Sequence, residues 1–193
     1  MCPFGQAVKV SPGSEPTSGG KKGASIMAKH KSLKQVLRET SQYYDELKTQ
    51  TDRGAAIVAC AYLDQNLADA IAARLTRARI IEKWDGRTIK DWLFEMNGPF
   101  SSFSAKINAS FAMGIITDES FRDLHALRKI RDDFAHVSYR ITFETPAIKS
   151  RCSQLRSTAE DATTPRVQFL SAARRITGEV LEAALESRLS LAP

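Results

Sequence analysis

A chain of 193 residues with 42% apolar and 8% aromatic side chains has material for one ordinary core, which fits one domain with extensions and not two domains. No run approaches the roughly 20 consecutive apolar residues of a membrane-spanning helix, so no membrane partner is expected. The net charge of +6 suggests nucleic acid, but Lys9, Lys21, Lys22, Lys29 and Lys31 hold most of the excess, against Glu15 alone. The remainder is nearly neutral and lacks the basic stripe that phosphate backbones require.

Residues 1–30 are rich in Gly, Ser, Pro and Lys, as in Ser11-Pro12-Gly13-Ser14 and Ser18-Gly19-Gly20-Lys21-Lys22. Such a segment buries too little apolar surface to offset its ordering entropy, and reads as a disordered basic tail. Met27 offers an internal start, which would make the preceding residues an extension of the gene. The opening Met1-Cys2-Pro3-Phe4-Gly5 lacks a basic segment followed by an apolar one, so the expectation is a cytoplasmic protein without a secretory signal. Cys2, Cys60 and Cys152 are scattered, with no Cys-x-x-Cys pair and no histidine at metal-ligand spacing. Cys60, inside an apolar run, reads as a small core residue. Neither a metal nor another cofactor is expected.

Residues 31–193 read as an all-α domain, a bundle of four to six helices. Leu33, Val36, Leu37, Tyr44 and Leu47 predict a first helix from Ser32 to about Lys48. The strongest helix follows, about Asp52–Thr76, rich in alanine, with Ile57, Ala61, Asp64, Ala68, Ile71 and Leu75 assigned to one face. Residues 77–98 read as a basic loop and a short helix around Ile89–Glu95, closed by the turn Asn97-Gly98-Pro99. Phe103, Ile107 and Phe111 mark a helix over about Phe100–Met113, ended by Gly114. Thr117-Asp118-Glu119-Ser120 provides a capping hydroxyl and early carboxylates for a helix running to His136 or Val137. Tyr139–Phe143 alternates and suits an extended segment. Pro146 opens a short helix through Arg156, and the last helix spans about Pro165–Leu189.

The helix ending at His136 carries the strongest functional signal. At about 100° per residue, Phe121, Leu124, Leu127, Ile130 and Phe134 form a broad apolar arc, and Arg131 projects inside it. A guanidinium directed at a core is costly unless paired or placed at an opening. Beside the arc runs a polar stripe of His125, Arg128, Asp132 and His136. The functional reading is a site at a bundle edge or dimer seam. Arg131 would grip a phosphate or carboxylate bidentately and His136 would serve as acid or base. The plainer reading, favoured by spacing alone, pairs Arg131 with a carboxylate of another helix, Asp64 being the candidate, and leaves His136 to complement the helix C-terminus.

The stretch Leu127-Arg128-Lys129-Ile130-Arg131-Asp132-Asp133-Phe134-Ala135-His136 resembles the signature helix of the HEPN superfamily: Arg, a polar residue, three variable residues, then His. Asn97-Gly98-Pro99-Phe100, Phe103-Ser104-Ala105-Lys106-Ile107 and Ala112-Met113-Gly114-Ile115-Ile116, followed by that helix, resemble the mannitol-operon-repressor (MltR) family. Arg53-Gly54-Ala55-Ala56-Ile57 and Leu63-Asp64 match that family's first core helix, and the resemblance covers about residues 40–140. It implies a bacterial regulatory or interaction protein, an α-bundle and a homodimer, acting on a protein or nucleic-acid partner. The wider superfamily includes metal-independent endoribonucleases, in which the matching Arg and His from two subunits contact the scissile phosphate and promote attack by the ribose 2′-OH. That alternative makes Arg131, His136 and Asp132 the catalytic residues, with Arg128, His125 and Asp64 as binding residues.

A helix-turn-helix laid over Thr88–Met113 would present Phe100–Asn108 to DNA, with one Lys and several large apolar groups; a core helix fits better. Trp84 and Trp92 read as packing anchors. Arg174, Arg175, Glu179, Glu182 and Glu186 read as a solvated face of the last helix. His30 has no assignable partner.

Overall fold

The computed structural model describes residues 33–75, 77–138, 140–156 and 164–190. The expected tail over 1–30, with Cys2 and His30, lies outside them, as do Tyr139 and most of the polar stretch before the last helix.

Five long helices build the bundle: α1 (Leu33–Leu47), α2 (Asp52–Arg74), α5 (Phe103–Ala112), α6 (Asp118–His136) and α8 (Pro165–Ser190). Three short helices, α3 (Arg77–Ile80), α4 (Ile89–Phe94) and α7 (Pro146–Cys152), and a hairpin of β1 (Lys83–Trp84) and β2 (Arg87–Thr88) fill the connections. α2 is the central element, packed against α8, α6 and α5, with α1 and α7 laid on α8. None of the described helices is long and apolar enough to cross a membrane.

Side-chain caps set the helix starts. Thr51 accepts the Gly54 amide at α2 (3.1 Å), Thr117 the Ser120 amide at α6 (3.3 Å), and Thr88 and Asp91 form a reciprocal capping box at α4. α5 starts later than the apolar spacing predicts. Ser102 caps it through the Ala105 amide, while the Phe100 amide donates back to Leu93 O (2.8 Å) and the Phe100 ring packs on Phe94. Gly98 permits this return, because a Cβ there would sit 2.4 Å from Trp92 O. The hairpin within the expected basic loop turns at Asp85 (φ 51°) and Gly86 (φ 76°), the paired positive φ of a two-residue primed turn.

The core runs through Leu63, Leu67 and Ile71 of α2, Leu124, Leu127, Ile130 and Phe134 of α6, and Phe169, Ile176 and Val180 of α8. The face assigned to α2 requires correction, for Ile57 and Ala61 are exposed and Ala56, Ala59, Cys60, Leu63 and Leu67 are buried. An alanine-rich helix that touches three others has nearly continuous apolar surface, so its stripe has little contrast. Cys60 is a core residue as expected, and burial pushes its thiol up to about 12. Ile141 and Phe143 are buried in alternation, but among the described residues no strand forms there.

Candidate functional site

The C-terminal half of α6 faces α5 across the bundle edge. Leu124, Leu127, Ile130 and Phe134 fix the helix's rotation by full burial, which fixes where its charged residues emerge. Arg131 leaves the core beside α5: its guanidinium carbon lies 5.8 Å from the Phe103 ring centroid, and Nη1 is 3.2 Å from Asp132 Oδ1. Its side chain is 31% exposed. The inward projection therefore ends at an opening, with the aliphatic stem covering apolar surface and the head reaching water.

Asp132 is the hub of this region. Its Oδ2 accepts from Arg128 Nη1 at 2.9 Å, one turn earlier, so two guanidiniums share one carboxylate and leave net positive charge on a half-exposed face. Arg128 Nε is buried without a hydrogen-bond partner among the described residues.

His125 joins from the same stripe, its Nε2 3.2 Å from Asn108 Oδ1 of α5 and its ring edge-on to Phe121 at 4.7 Å. Burial, reinforced by the charges of Arg128 and Lys129, lowers the His125 pKa and favours the neutral ring. Phe121 stacks on Phe111 of α5 at 4.6 Å, and Phe111 is 40% exposed. The arrangement is an aromatic patch bordered by amide, imidazole and guanidinium groups.

Two expectations change. Asp64 does not pair with Arg131, because Lys106 of α5 donates to both its carboxylate oxygens at 2.8 Å. Lys106 is 7% exposed, and a buried ammonium demands a carboxylate more stringently than a guanidinium that can reach water. Asp64 is thereby a structural ion-pair partner. The same contact buries the one cation of the supposed reading helix in the bundle.

His136 stands apart. It is exposed in the last turn of α6, and residues five apart on a helix project about 140° from one another. Neither Arg131 nor His136 lines the cavity near that end of α6.

Other expected surface groups behave differently. Arg175 and Glu179, read as solvated, are drawn into a polar cluster with Ser120 and Asp123: Arg175 Nη2 donates to Asp123 Oδ2 (2.6 Å), and Thr117 N donates to Glu179 Oε1 (2.7 Å). Trp84 and Trp92 pack on each other at 5.4 Å on the surface, Trp84 being 66% exposed. Asn108, Phe111 and Lys106 were not singled out as site residues. The one sequence signal for Lys106 is a charge beside Ile107 on an otherwise apolar helix face.

Fold and site define an all-α bundle with a charged, aromatic-bordered helix face at its edge. The family described as mannitol repressor (MtlR) matches residues 65–181, and the chain belongs to that family. The match begins inside α2 and extends into α8, beyond the region of the motifs noted above. A solved structure, the X-ray structure of the MtlR–HPr complex from Escherichia coli, is similar with 16% identity and a TM-score of 0.47, covering 77% of this chain and 98% of that one. No curated protein matches significantly.

Proposed function

We propose that this chain is a regulatory protein of mannitol use that acts by holding a protein partner on its α5–α6 face. Membership of a family described as repressors supports the regulatory part. The observation that carries the binding part is the Phe111–Phe121 stack, exposed at Phe111 and half-buried at Phe121, beside His125, Arg128 and Asp132. Aromatic anchors ringed by arginine and polar groups are what protein interfaces concentrate. The carboxylate between Arg128 and Arg131 keeps both guanidiniums ordered at little cost in stability, so a partner meets a preorganised surface. Cytoplasmic operon control follows on this reading, with no DNA contact by this chain required.

The test is genetic. Deleting the gene should raise transcription of mannitol-use genes, and the wild-type chain should restore repression. Unchanged transcription in the deletion strain would contradict the regulatory reading. HPr, named in the E. coli structure, is one protein with which to probe the face.

The endoribonuclease alternative has one favouring observation: Arg131 and His136 both reach solvent on α6, so two chains could supply one site. It predicts RNA cleavage in EDTA that leaves 2′,3′-cyclic phosphate ends and is lost in Arg131→Ala and His136→Ala. A purified chain that leaves RNA intact removes it.

A further inference from the structure

A cavity of about 660 Å³ lies where the first turn of α2, the connection after α6 and the first turn of α8 meet. Its walls carry Arg53, Arg140 and Arg166 against one carboxylate, Asp52. That carboxylate is already engaged, with Oδ1 accepting from Arg166 Nη1 at 2.6 Å and Oδ2 from the Phe143 amide at 3.0 Å. Arg166 also donates through Nη2 to Leu47 O (3.0 Å) and Gln50 O, which locks it between α8 and the α1–α2 turn. Arg53 is held by a bond from Nη2 to Val137 O at 2.7 Å. Arg140 forms no ion pair with a described residue.

We propose that this cavity binds a small phosphate monoester, a ligand that the α5–α6 reading does not require. Three arginines from three chain segments line one space: Arg166 is held by Asp52 and the carbonyls of the α1–α2 turn, Arg53 is anchored on Val137 O, and Arg140 adds a cation that no described carboxylate neutralises. One fork suffices for a planar carboxylate, whereas a tetrahedral dianion uses several. Thr51, Ser138 and Thr142 line the same space, and hydroxyl-bearing side chains suit a hydroxyl-bearing body. Thr51 Oγ accepts the Gly54 amide, which leaves its own proton to donate. The volume falls in the range of small-molecule sites, about 300–1,000 Å³.

The full chain is titrated calorimetrically at low salt with inorganic phosphate, glycerol 3-phosphate, citrate and a single-stranded RNA. The expected result is saturable binding of phosphate and, more tightly, of glycerol 3-phosphate. Arg140→Ala should weaken both by about tenfold, the worth of one charge-assisted hydrogen bond. Arg140→Lys should retain part of the affinity, and the exposed α6 variant Arg122→Ala all of it. Circular dichroism of Arg140→Ala should match wild type, so its loss of binding reports the site. The proposal is overturned by no saturable binding of either phosphate compound, by undiminished affinity in Arg140→Ala, by citrate binding as tightly, by phosphate binding with the ester excluded, or by RNA alone binding.

Discussion

The two halves of α6 handle charge in opposite ways. Near its N-terminus, Asp123 lies against Arg175 and the Arg156 amide, while Ser120 joins Arg175 to Glu179, all largely sealed under α7 and α8. Near its C-terminus, Arg128, Asp132 and Arg131 form a chain of pairs that is about one third exposed and positive in sum. The first cluster ties α6, α8 and the segment after α7 together and is the more buried of the two, its Asp123 side chain being 9% exposed. The second is ordered by its own members and remains accessible. One helix thus supplies both a structural lock, on the side that meets α8, and a recognition face, on the side that meets α5.

The largest effect should come from breaking the lock. Asp123→Ala removes the 2.6 Å carboxylate partner of Arg175 and leaves it Ser120 and the more distant Glu179, and should cost about 1.5–3 kcal/mol in urea unfolding. A cost under 1 kcal/mol would mean that water reaches the cluster and that the two halves do not differ as described. Burial raises the Asp123 pKa, outweighing the bonds from Arg156 N and Arg175. The folded state therefore binds this proton more tightly than the unfolded one, and the cost of ionised Asp123 is relieved as pH falls through the raised folded value towards 3.8.

A smaller, pH-dependent effect belongs to His125. Its folded pKa lies below 6.5, so the unfolded chain takes up the proton first and stability is lost as pH falls below about 6.5 towards the folded value. His125→Gln should flatten that part of the stability–pH curve while keeping a group able to bond Asn108. An unchanged slope would show that the ring is as hydrated in the fold as in the open chain.

The smallest effect on stability is expected at Arg131. Its pair with Asp132 is partly solvated, so Arg131→Ala should change unfolding free energy by no more than about 1 kcal/mol. A larger loss would place this residue with the lock and not the face.

Much of this was legible from the chain. Thr117 announces a helix start because capping is a local bond, and the α6 arc shows because its apolar residues contrast with charged neighbours; the equivalent caps at Thr51 and Thr88 emerge from the structure. Arg131's projection towards the core signalled a special environment. Its neighbours, Asp132 and Phe103, depend on how α5 crosses α6. Asp64 was assigned to the wrong cation because Lys106, 42 residues away, meets it only in the folded bundle. Arg175 and Glu179 resemble any exposed i, i+4 pair until α6 is laid against them. The arginine-lined cavity was not visible at all, since Arg53, Arg140 and Arg166 come from three separated segments.

The most direct test of the central claim is repression of mannitol-use genes in a deletion strain carrying equal amounts of wild-type, Phe111→Ala, Arg128→Glu or Trp84→Ala chain. The α5–α6 face predicts that Phe111→Ala and Arg128→Glu lose most repression at normal thermal stability, while Trp84→Ala, on the hairpin, keeps it. Full repression by both α5–α6 variants, or loss confined to Trp84→Ala, would contradict the assignment of this face.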